Sequence, residues 1–445
     1  MPEINPKNFL LIRPDAIGDC LLIIPAIALL KKRFPSARIT VLARPYTREI
    51  FANDPDIDEV INDPASVEFI KKQDFDCSIH FYNELPYAML AKRAGIKYRL
   101  GDGSKPLLRP FYNLQSDCRW SDLTLHEVEH NILLLKPLGI ELPNTPPPLQ
   151  IKAPLLSRYE FKPNEFVVGI HLGTGHGNKA WLPDRYAKVV DHLIEKWKAT
   201  VVLTGSKSEI PAAQTVLGLC RKPPLDLVDK TTLSELIALI SRYNLYIGVD
   251  TGPLHVAAAL GIPTVAIFPT KFVKPSEWGP WQTRHTIIRK SAKCSQKCLP
   301  RDCPFDDCLK GISVEDVIEG IEVLKQGGGN RNLAEARLDW FKRSVNVLTN
   351  KDEIQRELSL NGFHAVKLET ALSVTKLVRQ IIKEDINIIH WVGHSRPLAL
   401  TLAKLFSILW APLPPLLIYE RDRRDYSASA LLGFYMGKFK GRKYL

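Results

Sequence analysis

The segment Arg13-Pro-Asp-Ala-Ile-Gly-Asp19 follows a short apolar run, Asn8 to Arg13, and opens a stretch with helical spacing. In an open α/β sheet, ligands bind beyond the carboxyl ends of the strands, at turns of this kind. Gly18 lets a ligand or a second backbone come close. Asp19 falls in the first helical turn, where it faces the cleft as a free carboxylate or caps the helix, which Asp does well. Position alone leaves both readings open.

Three further segments carry groups suited to an anionic nucleotide. In Tyr246-Ile-Gly-Val-Asp-Thr-Gly-Pro-Leu-His255, a strand ends at Asp250 and Thr251-Gly252 lead into a helix with Pro253 in its first turn. Helix-start amides and the helix dipole suit a phosphate, and His255 can donate to the same anion. A well-capped helix of any α/β protein reads the same way. His171-Leu-Gly-Thr-Gly-His-Gly-Asn-Lys-Ala-Trp181 holds three glycines in five residues, with Lys179 as a cation for a diphosphate and Trp181 as an apolar anchor. The alternative there is a flexible loop with a solvated lysine. In Gly205-Ser-Lys-Ser-Glu209, Glu209 can take two ribose hydroxyls, or simply start a surface helix.

The elements that must position these groups alternate in type. Strands are expected at Asn8 to Arg13, Arg38 to Ala43, Asp58 to Ile61 and Cys77 to Phe81, and helices at Gly18 to Lys32, Tyr46 to Ala52 and Leu85 to Ala94. That alternation predicts a parallel sheet with helices on both faces. Pro143, Pro146, Pro147, Pro148 and Pro154 mark a boundary. A second alternation begins at Phe166, with strands ending near His171, Thr204, Val249 and Phe268, and closes with a helix from Ser313 to Leu324. After Gly327-Gly-Gly329 the pattern starts a third time, with strands expected at Val345 to Thr349, Ala365 to Leu368, Ile386 to Trp391 and Leu416 to Tyr419. The expected domains are residues 1–150, 151–326 and 330–445.

Composition agrees with a globular chain of 445 residues, 45% hydrophobic and 24% charged. A net charge of +12 favours anionic partners. No block of like charges and no nucleic-acid-binding signature is present, so no nucleic-acid partner is expected. The N-terminus has no signal-peptide pattern. The most apolar stretch, Pro397 to Tyr419, is interrupted by Lys404, Pro412, Pro414 and Pro415, which argues against a membrane span. Cytoplasmic residence is expected, with a membrane surface as one possible neighbour.

In order along residues 8–324, the chain resembles the heptosyltransferase family, glycosyltransferase family 9. The resemblance rests on Leu10-Leu-Ile-Arg-Pro-Asp-Ala-Ile-Gly-Asp19, Pro25-Ala-Ile, Phe75-Asp-Cys-Ser-Ile-His, the helix Ala88 to Ala94 with Gly95, His126-Glu-Val-Glu and Leu135-Lys-Pro-Leu-Gly139. It continues through Lys179-Ala-Trp-Leu-Pro183, Asp250-Thr-Gly-Pro-Leu-His255 and Trp278-Gly-Pro-Trp281. It implies a GT-B fold, two Rossmann-like domains facing a cleft, and inverting transfer of a heptose from ADP-heptose to a lipopolysaccharide core-type acceptor. It implies Asp19 as general base and Lys179, Glu209, Asp250, Thr251, Gly252 and His255 as donor-binding residues, with no metal in the reaction. The Asp-x-Asp spacings at Asp54, Asp56 and Asp58 and at Asp74 and Asp76 precede strands, on the wrong side of the sheet for the cleft. Arg93 and Arg99, within a basic run from Lys92 to Arg109, are expected to hold acceptor phosphates or carboxylates, against the reading of a solvated basic face.

Two departures from the family pattern stand out. Ile267-Phe-Pro-Thr-Lys lacks the usual glycine, and the unit after residue 330 is additional, resembling part of another glycosyltransferase domain. Cys294, Cys298, Cys303 and Cys308 have two readings, a structural zinc site or thiols that stay reduced or pair locally. A nucleotide-sugar epimerase and a non-catalytic nucleotide-sugar-binding protein are the competing functions. The first would consume donor without acceptor, and the second would turn nothing over.

Overall fold

The structure is a computed structural model that describes residues 4–118, 125–155, 158–173, 180–268, 273–290 and 307–327, and the strands at 346–349, 364–367, 386–392 and 416–420. The first sheet is built from β1 (Asn8–Ile12), β2 (Arg38–Ala43), β3 (Glu59–Asn62), β4 (Cys77–His80), β5 (Tyr98–Asp102) and β6 (Leu114–Ser116). The second is built from β7 (Val167–His171), β8 (Thr200–Thr204), β9 (Leu225–Asp226), β10 (Leu245–Val249), β11 (Thr264–Ile267) and β12 (His285–Ile288). Helices of the first half are α1 (Ile17–Leu21), α2 (Ile24–Arg33), α3 (Val67–Lys72), α4 (Leu85–Arg93) and α5 (Glu127–Leu134). Those of the second are α6 (Pro183–Trp197), α7 (Ile210–Leu219), α8 (Leu233–Ile240), α9 (Gly252–Ala259), α10 (Pro275–Trp278), α11 (Asp307–Lys310) and α12 (Val314–Lys325).

Both sheets are parallel and have the same order, β3-β2-β1-β4-β5-β6 and β12-β11-β10-β7-β8-β9. This is the doubly wound Rossmann order, in which the direction of winding reverses between β1 and β4 and between β7 and β10. Central strands such as β1, β4 and β7 are buried on both faces, which explains their near-continuous apolar runs. Ile247, Val249, Val265, Ile267 and the α6 residues Val189, Val190 and Leu193 share one core in the second half.

Several expected elements are modified. The helix read from Gly18 to Lys32 is two helices, because Pro25 in the first turn of α2 has no N–H for a preceding turn. The expected helix at Tyr46 to Ala52 is only a 3-10 turn, Arg48–Ile50. Strands β5, β6, β9 and β12 were not anticipated. The proline-rich segment lies along the second half: Trp281 Nε1 donates to the Pro147 carbonyl (3.4 Å) and Gln282 Nε2 to that of Pro146 (3.0 Å).

These two sheets belong to one compact unit, and Asn332–Leu445 to a second. The second unit carries four parallel strands, β13 (Asn346–Thr349), β14 (His364–Lys367), β15 (Ile386–Val392) and β16 (Leu416–Glu420), in the order β14-β13-β15-β16. The helices expected between them lie outside the described residues. Among the described residues, no helix is long and apolar enough to cross a membrane.

Candidate active site

The turns after β1 and β10 open α1 and α9, and these two helix starts are in direct contact. A methyl group added at Gly18 would lie 2.7 Å from His255 Cδ2, and one at Gly252 would lie 2.6 Å from Ile17 Cβ. Only glycine permits this approach at either position. The contact brings the turn that carries Asp19, through Ile17 and Gly18, against Gly252 and His255 of the other half.

Arg13 organises the first half of the site. It follows the buried strand Phe9-Leu-Leu-Ile12 and is itself only 4% exposed. Its Nη1 donates to the Phe81 carbonyl at 2.6 Å and its Nη2 to Asp19 Oδ1 at 2.6 Å. Glu127 Oε1 and Asp15 Oδ2 lie 3.8 and 3.9 Å from the same Nη2. Asp19 makes no capping bond from its helical position, so the structure favours a carboxylate held by Arg13 over a helix cap. Burial raises the Asp19 carboxyl above the ordinary aspartate range, and the Arg13 charge offsets only part of that rise.

In the second half, Thr251 precedes α9 without capping it. Its Oγ1 donates instead to the Val249 carbonyl (3.3 Å), and among the described residues it forms no side-chain cap on α9. His255 is 2% exposed, its Nδ1 has no hydrogen-bond partner among the described residues, and its Nε2 is 3.9 Å from Asp250 Oδ1. Burial pushes the imidazole down to about 4, so it is neutral near pH 7 and carries one N–H donor. An uncapped helix start with a buried neutral donor beside it suits an anionic group.

Glu209 stands at the end of β8. Its Oε2 accepts from Ser206 N (2.8 Å) and Oγ (2.8 Å), and its Oε1 accepts from Ser208 Oγ (2.6 Å). It therefore closes a capping box, and these hydrogen bonds outweigh desolvation to hold its carboxyl below the usual range. It also lies against the end of β7: a methyl at Gly173 would meet His171 Nε2 at 2.6 Å and Glu209 Oε2 at 3.3 Å. His171 Nδ1 is 2.9 Å from Thr204 Oγ1, and burial pushes the ring down to about 4. Trp181 is fully buried and donates to the Ile312 carbonyl (3.0 Å), as an anchor should. Lys179 lies outside the described residues, as do Cys294, Cys298 and Cys303, while Cys308 begins to be seen in α11, half-buried.

The basic pair is placed elsewhere. Arg93 ends α4 and Arg99 begins β5, so both sit at the edge opposite Asp19, because the helix returns the chain to where strands begin. Arg99 is also occupied, donating to the carbonyls of Ile96 (2.5 Å) and Phe111 (2.8 Å). The structure thus separates Arg93 and Arg99 from the other site residues. The Asp-x-Asp carboxylates lie at that same edge, where Asp76 accepts from Lys7 N and Asn8 N and Asp58 from Ile39 N.

Sequence reasoning passed over Arg13 and Glu127. An arginine ending a fully apolar strand signals a buried anionic partner, and Glu127 lies within a motif, His126-Glu-Val-Glu, that was noted without a role. His126 links the halves. Its Nδ1 accepts from Val128 N (3.2 Å), so Nε2 carries the proton and donates to the Gly279 carbonyl (2.9 Å), with the ring against Trp281 at 4.6 Å.

Residues 66–309 match the family Glycosyltransferase family 9 (heptosyltransferase). Lipopolysaccharide heptosyltransferase 3 of Escherichia coli strain K12 is 27% identical over 336 residues, covering 69% of this chain and 95% of that protein. The solved glycosyl transferase family 9 structure from Veillonella parvula DSM 2008 superposes with a TM-score of 0.62 at 22% identity, covering 72% of this chain and 98% of that one. The ADP-heptose lps heptosyltransferase II of E. coli gives a TM-score of 0.58 at 20% identity, covering 72% and 100%. The fold is thus the two-domain GT-B plan. A family match over more than half of its length makes this chain a member of glycosyltransferase family 9, the heptosyltransferases.

Proposed function

We propose that the chain is an inverting glycosyltransferase that moves a heptose from ADP-heptose to a lipopolysaccharide core-type acceptor. The observation that carries this reading is the contact of α1 with α9, which brings the turn bearing the half-buried Asp19 carboxylate against an uncapped helix start. The named donor of heptosyltransferase II and the named role of heptosyltransferase 3 support the sugar and the acceptor class.

In this mechanism an acceptor hydroxyl attacks the anomeric carbon from the face opposite the diphosphate. The new C–O bond forms, the bond to the diphosphate oxygen breaks, and ADP leaves with that electron pair. Asp19 takes the hydroxyl proton, a step that needs hydrogen-bond reach of about 2.6–3.2 Å. Positive charge grows on the sugar ring, as in other glycosyl transfers. Negative charge grows on the diphosphate, where the α9 amides, Thr251, His255 and Lys179 would stabilise it. Gly252 gives the close approach, Asp250 orients His255, and Glu209 would take the ribose hydroxyls. In this reading the reaction takes place on the cytoplasmic side, with the acceptor presented at a membrane surface. Acceptor-dependent ADP release tests the reading. Release without acceptor would favour an epimerase or hydrolase, and binding without turnover would favour a nucleotide-sugar receptor.

A further inference from the structure

Glu127 has no role in the mechanism above, yet it is a carboxylate buried beside the base. Its side chain is 6% exposed. It is not needed to cap α5, because Glu129 Oε2 accepts from His126 N (2.8 Å) and His126 Nδ1 accepts from Val128 N. Among the described residues it forms an ion pair with Arg13 Nη2 at 3.8 Å, the nitrogen that donates to Asp19 at 2.6 Å. Removing a carboxylate from water is costly unless it is paired, and this pair is long and already shared.

We propose that Glu127 is a positioning residue for Asp19 that acts through Arg13, the two carboxylates dividing the hold of one buried guanidinium nitrogen. The proposal rests on Asp19 being the base. With Glu127 protonated, Asp19 is the closest carboxylate on Arg13, with Asp15 at 3.9 Å, and the arginine damps the basicity of Asp19. With Glu127 ionised, Arg13 is drawn to both carboxylates, and the added negative charge makes Asp19 a readier proton acceptor.

The charged surroundings of Glu127 come from three elements. The β1 turn and α1 supply Arg13, Asp15 and Asp19, and α10 supplies Glu277, which is answered by Lys274 and Arg289. Its own helix and the preceding loop supply His126, Glu129, His130 and Cys118. Burial first, then repulsion from Asp19, Glu277 and Asp15, outweighs Arg13 and pushes Glu127 up to about 8. Cys20 and Cys118 are pushed up by burial and stay as thiols near neutrality.

The test is the pH profile of kcat/KM from about pH 6 to 9.5, followed by acceptor-dependent nucleotide release, for wild type, Glu127→Gln, Glu127→Asp and Asp19→Asn. Wild type should rise about three- to tenfold through a step near pH 8. Glu127→Gln should lose that step while holding its donor KM and melting temperature. Glu127→Asp, with the carboxylate withdrawn from Arg13, should keep a smaller step, and it decides the matter if the Gln variant does not fold. A Gln profile that is lowered uniformly with the step retained, or that matches wild type throughout, overturns the proposal, as does an Asp variant with an undiminished step. Asp19→Asn separates the two claims. If it is inactive while Glu127→Gln behaves as wild type, only the present proposal fails; if it is active, the base assignment fails first.

Discussion

Replacing Gly18 with alanine tests the contact on which the site depends. The new methyl would lie 2.7 Å from His255 Cδ2, 3.3 Å from Nε2 and 3.6 Å from Cγ. Contacts under 3.0 Å force something to move, and His255 cannot swing aside because it is 2% exposed. Overpacking of this kind costs about 1–3 kcal/mol. Relief must come from separating α1 and α9 by a few tenths of an ångström or more, which moves Asp19 away from the helix start. Misplacement near 1 Å can cost about a hundredfold in rate. We expect kcat/KM to fall about ten- to a hundredfold, with the melting temperature lowered by a few degrees. Gly252→Ala, whose methyl would meet Ile17 Cβ at 2.6 Å, should behave similarly. The control is Gly218→Ala in α7, where no atom lies within 4 Å; it should be neutral or stabilise by about 0.5–1 kcal/mol. The assay is acceptor-dependent ADP release together with a thermal melt. Wild-type kinetics and stability in Gly18→Ala would refute the contact, and with it the juxtaposition of base and helix start.

Further outcomes follow from the same geometry. Glu209→Gln keeps an oxygen acceptor and much of the capping box, so it should weaken nucleotide binding more than stability; Glu209→Ala should also lose roughly 0.5–2 kcal/mol, measured by calorimetry and melts. Arg93→Ala should leave the acceptor KM unchanged, since Arg93 lies at the far edge of the sheet; a severalfold rise would return acceptor binding to that face. Acid should destabilise the fold. Burial holds His80, His171 and His255 down at about 3, 4 and 4, so the unfolded chain takes their protons first as pH falls below 6.5. Their stability is complete above 6.5 and is lost toward the folded values, while Glu127, raised to about 8, works the other way by one proton. With three such histidines set against Glu127, stability should fall as pH drops from about 6.5 toward 4.5. A denaturation midpoint that stays flat over that range would contradict the buried neutral histidines.

Much of this fold is legible because its signals are long or local. Phe9 to Ile12 and Val167 to His171 are apolar runs ended by a glycine-containing turn, and such runs specify buried parallel strands. The two-residue β9 and three-residue β6 are too short to carry a period, and they form because neighbouring strands offer an edge to pair with. Asp19, Thr251 and His255 could be picked out because each sits just after a strand. Arg93 and Arg99 read as acceptor-binding because they fall in a basic run, whereas strand polarity sends the end of α4 and the start of β5 to the edge opposite Asp19. Glu127 escaped notice because its partner, Arg13, is more than a hundred residues away, and a carboxylate beside a helix start reads as a cap until Glu129 and His126 are seen to do that work.

The most direct test of the account is ADP release from ADP-heptose, with and without a heptose-deficient lipopolysaccharide acceptor, for wild type and Asp19→Asn. The account predicts acceptor-dependent release that falls by about a hundredfold or more in the variant while donor affinity is kept. Release that ignores the acceptor, or a variant as active as wild type, would contradict it.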